Sequence, residues 1–264
     1  MTFDRAREVY RQLQRLARAD YGGATGALLV VYGVEGFLRR LAVSDHGPKM
    51  TLKGGMLMAA TAARRMTKDA DLSTVGMAND PDHVAQAVAD VVAVELADDD
   101  GLVFGASTIR TQVMREQADY HGVRVKIEAQ LATARPTVTL DFSFGDPHRS
   151  VVVDLPQLLG GSIRLASYPP ELTLAEKIAT MMSRRELNTR DRDFADVWTL
   201  SRTLSLDAAT LRTAIVDVAR HRGHDTVSLR TAGRYARPPS AVYGDALAHG
   251  LPAPVAAVLE RAAR

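Results

Sequence analysis

The chain has no cysteine, which excludes disulfides and thiolate metal sites. It has no uninterrupted apolar run long enough to cross a bilayer. Its first residues, MTFDRAREVYRQLQRLARAD, are charged and amphipathic and lack the apolar core of a signal peptide. These absences give the expectation of a cytoplasmic protein with no membrane partner. Lysine is scarce: Lys49, Lys53, Lys68, Lys126 and Lys177 stand against 28 arginines. After position 126, Lys177 is the sole lysine. Chance would account for this, and so would a site that needs a compact ammonium rather than a planar guanidinium.

What is present is 264 residues with 46% hydrophobic content, enough for one large core or two modest ones. The net charge of +2 is unevenly spread. Residues 1–155 carry 18 Lys and Arg against 20 Asp and Glu, and residues 156–264 carry 15 against 11. The basic half has the sign to face a polyanion, although solvated helix surfaces explain the excess equally well.

Periodicity predicts helices over 2–19 and 25–44, a short strand at 50–52, a helix over 56–65 and a strand over 69–75. Asn79-Asp80-Pro81-Asp82 marks the start of a helix over 81–96, with Pro81 in the first turn. Asp98-Asp99-Asp100-Gly101 reads as a solvated turn. GVRVKIEAQ (122–130) and TVTLDFSF (137–144) alternate as strands. From Tyr168-Pro169-Pro170 onward the pattern is helical: 171–187, a helix from about 190, one over 207–222, and more after Pro239 and Pro252. The expected architecture is an α/β (α+β) domain with a mixed sheet at 1–155, followed by a helical domain at 156–264.

The most informative stretch is Lys53-Gly54-Gly55, a helical segment, then Asp69-Ala70-Asp71-Leu72. If Ala70 and Leu72 face a core, the period of a strand puts Asp69 and Asp71 together on its other face. Two fixed carboxylates suit Mg²⁺, and Mg²⁺ in turn holds nucleotide phosphates. A third carboxylate has to come from a neighbouring strand, and Asp141 in Thr-Leu-Asp-Phe-Ser is the best candidate. Gly54 and Gly55, at a helix start without Cβ atoms, can approach a phosphate. Taken singly, Gly-Gly is a turn and Asp-x-Asp a surface acid pair. Asp193 and Asp196 can equally be surface partners of Arg190 or Arg192. His221 and His224 lack a third ligand, and a zinc site there is rejected.

Together, Leu52-Lys53-Gly54-Gly55 and Arg65-Met66-Thr67-Lys68-Asp69-Ala70-Asp71-Leu72 resemble the opening motif of AbiEii-type nucleotidyltransferases. That motif is K-G-G, a helix, then R-x-[S/T]-x-D-x-D-[L/F]. The family belongs to the DNA polymerase β-like superfamily and includes the mycobacterial MenT toxins. Residues 138–146 resemble the strand of the third carboxylate. Leu174-Ala175-Glu176-Lys177-Ile178 and Arg192-Asp193-Phe194-Ala195-Asp196-Val197-Trp198 resemble the L-A-E-K-L and R-D-x-x-D-[L/V]-[W/Y] segments. The likeness runs in order from about 49 to 200. Lys68 departs from the acid expected before the aspartates, and nothing after 205 is matched.

The resemblance implies a toxin of a toxin–antitoxin system, with a cognate antitoxin as partner. Such a toxin transfers a nucleotide from an NTP, in some members to the 3′ end of tRNA, and so blocks translation. Carried over, Asp69, Asp71 and Asp141 bind Mg²⁺, two ions in all, and Lys177 meets the triphosphate. Asp193 is a further functional acid, with Asp196 beside it in the motif. Lys53, Gly54, Gly55 and Arg65 shape the nucleotide site. Two other readings remain open. One is a nucleotidyltransferase acting on a small molecule or a protein hydroxyl, and the other is a non-catalytic binding partner of the same fold. The three carboxylates and Lys177 argue against the last.

Overall fold

The computed structural model describes residues 3–56, 67–115, 121–145, 149–184, 197, 200 and 206–221. Among these, eight strands form one mixed sheet: β1 (Met50–Lys53), β2 (Asp69–Thr74), β3 (Leu102–Phe104), β4 (Arg110–Arg115), β5 (His121–Leu131), β6 (Thr137–Phe144), β7 (Val151–Pro156) and β8 (Ser162–Ser167). Their order is β3-β5-β6-β2-β1-β8-β7, with β4 also paired to β5. β2 runs parallel to β6, and β1 parallel to β8; the other pairs are antiparallel.

Alternation decides which side of each strand is buried. Ala70 and Leu72 of β2, Val138, Leu140 and Phe142 of β6, and Val123, Val125 and Ile127 of β5 are all inaccessible or nearly so. They share one core with three helices, α1 (Phe3–Asp20), α2 (Thr25–Ala42) and α3 (Pro81–Val92). Those helices supply Val9 and Leu13, then Leu28, Phe37, Leu38 and Leu41, then Val84, Val88 and Val91. Fully burying each such side chain contributes roughly 1.5–3 kcal/mol. α2 lies so close to the sheet that a Cβ at Gly33 would stand 2.7 Å from a methyl of Val138. The start of α3 follows the expected signal: Asp80 is the N-cap, its carboxylate accepting from the His83 N–H at 2.8 Å, and Pro81 opens the first turn.

The acidic turn at 98–101 departs from the solvated form expected. The Asp100 side chain is 2% exposed and accepts two hydrogen bonds from the Arg40 guanidinium, at 2.6 and 3.1 Å. It also accepts from the Leu102 N–H, while the Tyr32 hydroxyl donates to the Asp100 carbonyl. Arg40 lies over the Phe104 ring, 5.0 Å from its centroid. The turn is therefore clamped onto α2 by a buried, bidentate ion pair. Such a pair is a modest source of net stability but is costly to break from one side.

The chain divides into two compact units, the first ending at Ser167 and the second comprising mainly the residues from Tyr168 onward. The first unit runs past the boundary expected at 155/156 to the end of β8, because β8 returns antiparallel to β7 and joins β1 at Leu52 and Ser167. In the second unit, α4 (Pro170–Arg184) and α5 (Ala208–His221) pack on each other. Leu172, Leu174 and Ile178 of α4 are buried, as are Leu211, Ile215 and Val218 of α5. Asp207 caps α5 through the Thr210 N–H. The helices expected over 56–65, near 190 and beyond 239 lie outside the described residues or nearly so. No described helix is long and apolar enough to cross a membrane.

The Arg40–Asp100 clamp makes a direct prediction. Asp100→Ala leaves a buried guanidinium unpaired and should cost about 3–5 kcal/mol in urea unfolding.

Candidate active site

The face of the sheet turned away from the core carries the candidate acids. Asp69 and Asp71 are half-buried and alternate with the fully buried Ala70 and Leu72. β2 pairs with β6 so that Asp71 stands opposite Asp141. Paired residues in a sheet share a face, and so do residues two apart. Asp69, Asp71 and Asp141 therefore occupy one surface, although Asp141 lies 70 positions along the chain.

The row extends on both sides. β1 places Lys53 opposite Asp71, and β5 places Arg124 opposite Asp141. Four adjacent strands thus carry Arg124, Asp141, Asp71 and Lys53 in register: cation, acid, acid, cation. Arg124 donates from Nε to Oδ1 of Asp141 at 2.7 Å and from Nη2 to Oδ2 at 2.6 Å. These hydrogen bonds raise the guanidinium pKa above its usual value, against the pull of desolvation. The charges of Asp141, Asp69 and Asp71 act in the same direction. The field of all three acids converges at Arg124.

The glycine pair has a role that the sequence alone did not reveal. Gly54 has φ of 69°, a left-handed conformation, and a Cβ there would fall 1.9 Å from Oδ2 of Asp71. A Cβ at Gly55 would meet Oγ1 and Cγ2 of Thr67 at 2.8 Å. Both glycines are seats for the Thr67-x-Asp69-x-Asp71 segment, so the two halves of the motif pack against each other. Lys68, between them, is exposed.

The donor set suits a hard divalent cation. Mg²⁺ is usually held by one or two carboxylates plus substrate phosphates, and Asp69 with Asp71 meets that need. Asp141 has both oxygens on Arg124, and among the described residues no three acids or histidines are grouped closely enough to cage a metal unaided.

Lys177 is half-buried on α4, next to the buried Ala175 and Ile178. It belongs to the second compact unit, and the acids belong to the first. Arg65, Asp193 and Asp196 lie outside the described residues. Arg124 was missed by sequence reading. Its signal was the hairpin register: counting outward from the turn at Ala132 and Thr133 brings it opposite Asp141.

Two solved structures with a TM-score of 0.50 share the fold, and a third is less similar. JHP933 from Helicobacter pylori is 14% identical with a TM-score of 0.50, over 90% of this chain and 91% of that one. A Helicobacter pylori protein described as a proposed nucleotidyltransferase is 13% identical with a TM-score of 0.50, over 90% and 94%. An antigenic nucleotidyltransferase-like protein from Paracoccidioides brasiliensis is 14% identical with a TM-score of 0.41, over 79% and 92%. A search of curated proteins gives no significant match. The fold is nucleotidyltransferase-like, with an acid pair on the face of the sheet turned away from the core shared with α1, α2 and α3. The family model for the nucleotidyl transferase AbiEii toxin of type IV toxin–antitoxin systems matches residues 36–260, and the chain belongs to that family.

The seat at Gly54 is testable against Gly76, which has φ of 67° but open space where a Cβ would go. Both alanine variants should lose about 1–2 kcal/mol from the left-handed backbone. Gly54→Ala should lose about 1–3 kcal/mol more from crowding Asp71, measured by urea unfolding.

Proposed function

We propose that the protein is a Mg²⁺-dependent nucleotidyltransferase toxin that transfers NMP from an NTP to the 3′ end of tRNA. A ribose hydroxyl attacks the α-phosphate in line, and pyrophosphate leaves. The observation that supports this most is the register of β2 on β6, which sets Asp71 opposite Asp141 with Asp69 one pleat away. Membership of the AbiEii family supports nucleotidyl transfer and an antitoxin partner. In this reading Asp69 and Asp71, with Asp141 as third acid, hold Mg²⁺. The bound Mg²⁺ supplies neutralisation of the triphosphate and of charge developing on the oxygens.

The chain's own residues do the rest. Lys177 gives the triphosphate a compact point charge. Lys53, Gly54, Gly55 and Arg65 shape the nucleotide pocket, and Asp193 adds a further acid. Gly54, having no Cβ, leaves room for the carboxylate of Asp71 beside the turn after β1. Arginines between 184 and 237 grip the RNA backbone by charge and shape rather than by base sequence. Of these, Arg212 and Arg220 on α5 are exposed.

Incubation with labelled NTPs, one at a time, with Mg²⁺ and total RNA tests this reading. Label should enter a tRNA-sized band. Metal neutralisation is worth several kcal/mol, so Asp69→Ala, Asp71→Ala and Lys177→Ala should each slow transfer on the order of a hundredfold or more. Label in protein or a small molecule would contradict the tRNA acceptor. No transfer under any condition would favour a binding module instead.

A further inference from the structure

The row of four charges across β5, β6, β2 and β1 contains more than a metal site needs. Arg124 takes both oxygens of Asp141 in a two-pronged contact, the strongest form of charge-assisted hydrogen bond available to a carboxylate. Asp141 is largely enclosed, its side chain 13% exposed, and its other neighbour in the row is a second acid, Asp71. Two carboxylates opposite one another on a sheet repel unless a cation stands by. Arg124 is that cation at the Asp141 end. Its own side chain is 38% exposed, so the guanidinium has solvent to move into if released.

We infer that Arg124 is an electrostatic latch on the carboxylate row: it occupies Asp141 in the resting protein and competes with the divalent cation for it. The inference rests on reading Asp69 and Asp71 as a divalent-cation site. For Asp141 to serve a dication held by Asp69 and Asp71, one of its oxygens would have to leave Arg124. Without nucleotide the exchange is unfavourable, because it trades a two-pronged ion pair for a single carboxylate contact and leaves Arg124 to be resolvated. The latch therefore keeps the third acid out of the metal site when no triphosphate is present. Arg124 is a positioning residue here, acting through Asp141.

A structural brace and a latch predict opposite effects on metal affinity. Lys126 is the matched control: it lies two residues along the same face of β5 and carries the same charge, but it stands opposite Thr139 rather than an acid. The experiment is Mn²⁺ titration without nucleotide, read by the electron spin resonance of free Mn²⁺, on the wild-type chain and on R124Q and K126Q. R124Q should bind Mn²⁺ about tenfold more tightly, since a like charge beside a cation site costs on the order of one decade or more. K126Q should change affinity by less than about threefold, because Thr139 rather than an acid stands between Lys126 and Asp69, so Lys126 occupies no carboxylate of the site. R124Q binding no more tightly than K126Q, or more weakly than wild type, would overturn the latch.

A second measurement on the wild-type chain stands even if R124Q is destabilised. In ¹⁵N-arginine protein the Arg124 Nε–H resonance is assigned by its loss in R124K. It should stay in place when Mg²⁺ is added alone, and shift and exchange faster with water when Mg²⁺ is added together with an NTP analogue blocked at the α–β bridge. A resonance unchanged at saturating Mg²⁺ and analogue would mean that Arg124 never releases Asp141, which also overturns the proposal. Neither readout needs nucleotide transfer. Failure to find an acceptor would count against the proposed function and leave both titrations decisive.

Discussion

The parallel pairing of β2 with β6 is the constraint on which the site depends. A strand repeats every two residues, so a register that buries Ala70 and Leu72 beside Leu140 and Phe142 necessarily sets Asp69, Asp71 and Asp141 on the opposite face. A slip of one residue would bury the aspartates and expose the core. The hydrophobic effect therefore fixes the geometry of the acids. Burial of Phe142, Leu140 and Val138 against α2 contributes several kcal/mol, far more than juxtaposing two carboxylates costs in a half-exposed setting.

The remaining features serve that register. Gly54 and Gly55 let the turn after β1 close over Asp71 and Thr67, where any side chain would intrude. Arg124 and Lys53 flank the two acids with one cation each. On the far side of the core, Arg40 and Asp100 tie the 98–102 segment to α2, and α2 in turn lies on β6 and β8. The charged clamp thus supports the layer that the acids are built upon.

Much of this was legible in the chain. The alternation of GVRVKIEAQ and TVTLDFSF gave β5 and β6, Asp80-Pro81 gave the start of α3, and Asp69-x-Asp71 gave the acid pair with its exposed face. Four strands were not legible. β3 has three residues, and β4, Arg-Thr-Gln-Val-Met-Arg, is an edge segment with too few apolar residues to alternate. β7 and β8 carry local patterns, but their place depends on long-range pairing with β1. The hairpin that would have revealed Arg124 turns at Ala132, with φ of 51° and no glycine or asparagine to announce it. Asp100 looked solvated because three consecutive acids usually are; its partner, Arg40, lies 60 residues away in sequence. The resemblance to the AbiEii family was legible in the chain, and the family match over residues 36–260 bears out the family.

The central claim, that the half-buried acids of β2 form the metal and nucleotide site, is most directly tested by anomalous diffraction. Crystals would be grown with Mn²⁺ and an NTP analogue blocked at the α–β bridge. The account predicts manganese peaks between the carboxylates of Asp69 and Asp71 with the triphosphate against them. A different hollow, lined by His46, Asp80, His83 and Asp90, offers competing oxygen and nitrogen donors. Manganese there, with Asp69 and Asp71 left unliganded, would contradict the account.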